Sequence, residues 1–290
     1  TSYLVASVMD VDDKETLKTK AVLGAGENVY CTTETLYATS SKYESTGVAE
    51  AVFGASSTMK TQIYKFDIRD YKIEYLKSAT IDGTALNQFS IDEYNGLLRV
   101  ATTSGSWGDN LVNQLYILDE NLETKGLLKD IAKGERIKSV RFTGNTAYVV
   151  TFIQTDPLFV IDLSNPEAPV ILGELKIPGF SEYLHPYGDG LLLGIGKDSN
   201  DRGLIKLSMF NVKDPRDVTQ KHTKILKETY AAVNENHKAG LISVSKNLIG
   251  FSTGYEAKYY LLAYSASKGF ITKAVLTAPS ENAKYNRGLY

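Results

Sequence analysis

Apolar and polar positions along the chain fall into short runs, each about the length of a strand. Between residues 137 and 177 the runs IKSVRFT, TAYVVTFI, PLFVIDLS and PVILGELKI are broken by Gly-Asn, Thr-Asp-Pro and Ser-Asn-Pro-Glu-Ala-Pro. Runs of six to eight residues between turn formers predict one antiparallel meander of four strands. The meander recurs. An apolar run closed by a polar residue ends the third strand at Asp10, Asp67, Asp119, Asp162 and Asn211, with Tyr264 in the sixth equivalent place. These markers lie 57, 52, 43, 49 and 53 residues apart, a period that belongs to propellers and solenoids. After each marker comes an alternating strand, such as KIEYLKSATID or APVILGELKI. Before it come two strands joined by tight turns, YNG, TGN, YGDG and SKN, whose Asn and Gly accept positive φ.

No amphipathic helical pattern longer than about ten residues interrupts this order; residues 223–236 are the best helical candidate and fit a fourth strand and exit loop equally well. The fold class expected is all-β, a β-propeller of four-stranded antiparallel blades. A single domain over 1–290 would hold blades near 19–83, 87–135, 136–179, 181–228 and 237–279, with a partial sixth from 1–18 and 281–290. Strands three and four occur six times but strands one and two only five times. Either a three-stranded blade closes a six-bladed ring or the chain is part of a larger propeller.

Composition alters this picture little. Of 290 residues, 43% are hydrophobic and 23% charged, enough apolar material for a substantial core. Lys and Arg (32) nearly balance Asp and Glu (34), so net charge gives no reason to expect nucleic acid as a partner. No apolar run reaches the ~18 residues that span a bilayer, and TSYLVASVMD itself lacks the basic n-region and long apolar h-region of a signal peptide. Cys31 is the sole cysteine, which excludes an internal disulfide and thiol-rich metal sites.

The segments GAGENVYCTTETLYAT, LNQFSIDEYNGLLRVATT, NQLYILDENLETKG, GERIKSV and AYVVTFIQTDPLFVIDLSNPEAPVILGELKIPGFSEYLHPY together resemble the bacterial and archaeal family of secreted proteins with a C-terminal β-propeller domain. The resemblance runs from about Tyr3 to Tyr290 and is most specific over 135–187. It implies an extracellular or cell-surface propeller, distantly like WD-repeat proteins, longer at both ends and without an established activity. It brings no catalytic motif, cofactor or metal.

Candidate chemistry is sparse. GLLLGIGKDSN (190–200) suggests a phosphate loop but lacks the first glycine, the Ser or Thr after Lys197 and a following helix; glycines relieving a strand bend are the simpler account. Asp10, Asp12 and Asp13 alternate as in a calcium loop but lack its glycine and late glutamate, so a turn-capping role is expected. His185 aligns by repeat with Arg141 on an innermost strand, His237 precedes another, and His222 lies on an outer strand where it is expected at the surface. Trp107, the one tryptophan, stands in the long loop between second and third strands, and the insertion 41–60 occupies the matching loop of the preceding blade. Two hypotheses follow. One is a non-catalytic binding or scaffold module engaging a protein or glycan through the loop face, with Trp107, Arg141, His185 and His237 as candidate contacts. The other is a metal-dependent hydrolase or lactonase at the central channel, for which Asn28, Gln88, Asp92, Arg141, Glu182 and His185 are the inner-strand residues on offer.

Overall fold

The structure is a computed structural model that describes residues 3–10, 12, 17–24, 26–44, 58–105, 110–152, 156–199, 203–254 and 258–277. Its strands form one two-stranded and five four-stranded sheets, each built from strands consecutive in the chain. The first sheet is β1 (Tyr3–Met9) with β2 (Leu17–Leu23), and the second runs β3 (Asn28–Cys31), β4 (Thr35–Glu44), β5 (Thr58–Asp67), β6 (Glu74–Asp82). The third holds β7 (Ile91–Tyr94), β8 (Leu97–Ser104), β9 (Val112–Leu118) and β10 (Thr124–Leu128), and the fourth β11 (Arg136–Thr143), β12 (Thr146–Phe152), β13 (Asp156–Asp162) and β14 (Val170–Ile177). The fifth holds β15 (Phe180–Pro186), β16 (Leu191–Lys197), β17 (Ile205–Asn211) and β18 (Thr219–Ile225), and the sixth β19 (Gly240–Ser243), β20 (Leu248–Thr253), β21 (Lys258–Ser265) and β22 (Gly269–Thr277). The architecture is all-β, with the sheets as propeller blades.

The chain divides into two compact units, residues 1–137 with 163–170 and residues 138–162 with 171–290. In the first unit, Tyr37, Ile63 and Ile81 of the second sheet pack on Ile91, Leu98, Val100, Tyr116 and Leu118 of the third. In the second unit, Tyr148, Val150, Leu158 and Val160 pack on Leu184, Leu192 and Phe210. Burial of such side chains contributes about 1.5–3 kcal/mol each. β9, β12 and β17, each a second or third strand of its sheet, are buried almost end to end and so read as continuous apolar runs. The fourth strand has one wet face, so β18 alternates strictly between exposed and half-buried.

At Asp10, Asp67 and Asp119 the polar marker that ends a third strand caps the turn that follows. Asp10 Oδ1 accepts from Asp12 N at 2.9 Å, Asp67 Oδ1 from Arg69 N at 3.0 Å, and Asp119 Oδ1 from Asn121 N and Glu123 N at 2.8 and 2.9 Å. This is the side-chain mimic of a backbone turn. Asp13 lies outside the described residues. The turn formers behave as their chemistry dictates: Asn95 and Gly96 take φ of 53° and 75°.

The structure departs from the sequence reading at the first blade. Leu17–Leu23 is not the start of a four-stranded blade near 19. It pairs along its whole length with Tyr3–Met9, and the first complete sheet begins at Asn28. The helical candidate 223–236 resolves into the end of β18 and a single turn, Ala232–Glu235, followed by a tight turn at His237–Ala239. The segment 281–290, expected to supply a further strand, lies outside the described residues.

Four sheets share a defect. The ladder between third and fourth strands shifts register once, leaving one extra residue on the fourth strand: Leu76, Lys125, Lys221 and Lys273. All four are exposed. Such bulges bend the outer strand and sharpen its twist.

Candidate functional site

The glycine-rich stretch 190–200 is no phosphate loop. Leu191–Lys197 is a straight strand, and a Cβ on Gly196 would overlap the Phe180 carbonyl oxygen. The glycines let β15 and β16 approach where a bulge separates Ser181 from Tyr183.

That bulge sets the polar cluster of the second unit. Glu182, the extra residue, turns outward from the ladder, and its Oε2 accepts from Asn234 Nδ2 at 2.6 Å. Two residues on, Tyr183 OH and His185 Nδ1 lie 2.9 Å apart. Arg141 of β11 crosses to this strand: its Nε donates to the Leu184 carbonyl at 2.8 Å, and its guanidinium sits 5.5 Å from the Tyr183 ring centroid. Ser139 makes a parallel latch, Oγ to the Ser181 carbonyl, at 2.6 Å. The repeat alignment of Arg141 with His185 therefore marks a real adjacency. Burial, and after it the Arg141 charge, pushes the His185 imidazole down to about 4. His237, in the tight turn before β19, is lowered first by burial and then by Lys238 and Arg141. Both histidines favour the neutral form, which suits hydrogen-bond exchange more than charge pairing.

His222 is not the surface residue its outer strand suggests. Its Nδ1 lies 2.9 Å from Tyr264 OH, and its ring meets the Tyr264 ring edge-on at 5.6 Å. The tyrosine in place of the usual Asp at the sixth marker thus ties the fifth sheet to the sixth.

In the first unit, Asp92 and Arg99 face each other across the β7–β8 hairpin. Arg99 Nε donates to Asp92 Oδ2 at 2.9 Å, and Tyr30 OH approaches Asp92 Oδ1 at 3.5 Å. The buried Tyr37 phenol is raised above the usual tyrosine range by burial and then by the neighbouring Glu93 carboxylate. Asn28 begins β3 and Gln88 lies in the short turn before β7. Among the described residues no three His, Cys, Asp or Glu side chains gather as a metal site would require.

Trp107 and residues 45–57 lie outside the described residues, but the bases of both loops are in view. The β4–β5 ladder runs out to Glu44 opposite Thr58, and β8–β9 to Ser104 opposite Val112. One segment joins them: Gly83 N donates to the Met59 carbonyl at 2.9 Å, while Thr84 and Thr103 exchange backbone bonds at 2.9 and 3.0 Å. Thr61 Oγ1 and Thr102 Oγ1 bond the Gly83 and Asp82 carbonyls at 2.7 and 2.8 Å. Asn113 stiffens the same end, accepting from Thr103 Oγ1 and donating to the Ile131 carbonyl. The two long loops therefore leave one hydrogen-bonded base. Sequence spacing placed them in matching positions but could not reveal the Gly83–Thr84 bridge.

The neutral His185 has a measurable consequence. A folded-state value near 4 against 6.5 for the free side chain makes acid destabilising. The stability is complete above about pH 6.5 and drains away as pH falls towards 4. Allowing for the partial exposure of the ring, the loss is about 2 kcal/mol. Urea midpoints at pH 7.5 and 4.5 should separate more for the native protein than for His185→Gln; equal separation would show that this imidazole does not titrate with folding.

A family model described as a beta propeller domain matches residues 1–289. An uncharacterised protein of Methanocaldococcus jannaschii is 53% identical over 156 residues, which are 53% of this chain and 24% of that protein. An uncharacterised protein of Archaeoglobus fulgidus is 43% identical over 205 residues, 71% of this chain and 31% of that one. The matched stretches thus span less than a third of either relative. Among solved structures, the periplasmic gluconolactonase of Pseudomonas aeruginosa superposes with a TM-score of 0.56 at 11% identity, covering 93% of this chain and 77% of that one. At that identity the likeness is one of fold alone.

Proposed function

The chain belongs to the beta propeller domain family, and from that premise we propose that it is a non-catalytic binding module acting outside the cytoplasm, its partner a protein or a glycan. The observation that carries this reading is the shared base of the two long loops, where Gly83–Thr84 bridges Met59 and Thr103. Loops on a rigid base present a contact surface without the strands having to move. The chemistry-bearing side chains support it too. Asp92 is occupied by Arg99, Glu182 by Asn234, and His185 by Tyr183, whereas a metal-dependent hydrolase aims several carboxylates or histidines at one open point. The cluster around Arg141, His185 and His237 is then a secondary contact region.

The test is binding of the purified protein to a glycan array and a displayed peptide library, in native form, as Trp107→Ala, and with 45–57 replaced by a short Gly-Ser turn. The reading requires selective binding that both changes weaken at least ten-fold, without a change in melting temperature. Binding that both variants retain would remove the loop face, and metal-dependent lactone hydrolysis by the native protein would replace the binding reading with the enzymatic one.

A further inference from the structure

A cleft of about 350 Å³ opens between the first and second sheets, lined by Lys20, Ala21 and Val22 of β2, Tyr64 and Phe66 of β5, and Tyr75 of β6. It lies within the first unit. Its origin is the thinness of the packing there. The fully buried part of that core is Ala38, Phe66 and Ile73, against which Leu4, Ala6, Val8 and Val22 are only partly covered. Phe66 forms the floor at 3% exposure, and Tyr75 stands edge-on to it at 5.8 Å as a wall that is 57% exposed. The Tyr75 hydroxyl is held by Ser78 Oγ at 3.1 Å, which fixes the ring's outer end.

We propose that this cleft binds a small ring-bearing carboxylate, with a uronic acid sugar as the matching class. The volume lies at the lower end of small-molecule sites. Aromatic faces on floor and wall accept the C–H face of a saccharide ring. The Tyr75 hydroxyl, on an exposed ring, is a polar group suited to sugar hydroxyls. Lys20 supplies the charge that selects an anion over a neutral sugar, and among the described residues it makes no ion pair of its own. A cationic ligand, which aromatic walls alone would favour, is repelled by the same ammonium. The site is separate from the loop base, so it stands or falls independently of the reading above.

Sodium glucuronate, glucose and benzoate are titrated by ligand-observed NMR against the native protein and against Lys20→Gln and Tyr75→Ala. Both positions are exposed, so both variants should melt within about 2 °C of the native protein. Glucuronate should bind saturably in the millimolar range, with glucose and benzoate at least ten-fold weaker. The lysine change should weaken glucuronate about five-fold, as loss of an exposed charge pair does, and the tyrosine change about ten-fold. Absence of saturable glucuronate binding overturns the proposal, as does unchanged binding in the two variants. Glucose binding as well as glucuronate removes the role of Lys20, and benzoate binding as well or better removes the saccharide class.

Discussion

Gly196→Ala should destabilise the fold by about 3 kcal/mol or more, among the largest effects available to a single methyl group. Gly196, next to last in β16, sits opposite Ser181. The added Cβ would collide with the Phe180 carbonyl oxygen and come within 2.7 Å of both its carbon and the Ser181 Cα. All three obstacles are backbone, held by the ladder, so relief requires β15 and β16 to part. Parting them disturbs the bulge that orients Glu182, Tyr183 and His185. Gly194→Ala is the instructive comparison. Its Cβ meets the Ser181 hydroxyl and lies 2.9 Å from Phe210 Cε2, both side-chain atoms, one of which can rotate away. Urea unfolding should therefore rank native above Gly194→Ala above Gly196→Ala. A Gly196→Ala protein as stable as the native one would mean that the strands are not this close.

Asp92→Asn is the second. Arg99 is 3% exposed, and Asp92 accepts from its Nε and Nη2. A guanidinium cannot lose its proton at accessible pH, so removing the carboxylate charge takes the ion pair from a buried cation whose guanidinium also lies 5.0 Å from the Tyr94 ring. The expected cost is about 3 kcal/mol. Removing the cation as well should recover much of it, so the double variant Asp92→Asn/Arg99→Met should be more stable than Asp92→Asn alone. A double-mutant cycle from denaturant unfolding should give a coupling of about 1.5 kcal/mol or more. Additive effects would show that the pair contributes nothing jointly.

Much of the architecture was legible because it depends on local chemistry. Asp10, Asp67 and Asp119, each at the end of a third strand, announce a turn, and each caps one. Asn95-Gly96 announces a two-residue hairpin, and it is one. The continuous apolar runs of second and third strands reflect packing on both faces. The Asp92–Arg99 pair was within reach too: a two-residue turn at Asn95-Gly96 sets Tyr94 opposite Leu97 and hence Asp92 opposite Arg99. What stayed hidden depends on register between sheets. His222 finds Tyr264 across 42 positions and Asn234 finds Glu182 across 52. Alternation alone cannot foresee either contact, since a single bulged residue changes which side chains face the next blade. The pairing of Leu17–Leu23 with Tyr3–Met9 was hidden for a related reason, because its alternating pattern suits a strand at either side of a turn.

The lysines displaced at 125, 221 and 273 have a bearing on how the chain behaves in crowded solution. Each four-stranded sheet ends in a strand with unpaired amides along one side, the surface on which another molecule's strand would otherwise dock. An ammonium at the kink breaks the straight run of donors and acceptors and adds a charge that an incoming strand would have to desolvate. Edge protection is thereby placed at exposed positions outside the core. Of the four sheets that share the kink, the second carries Leu76 there in place of a lysine.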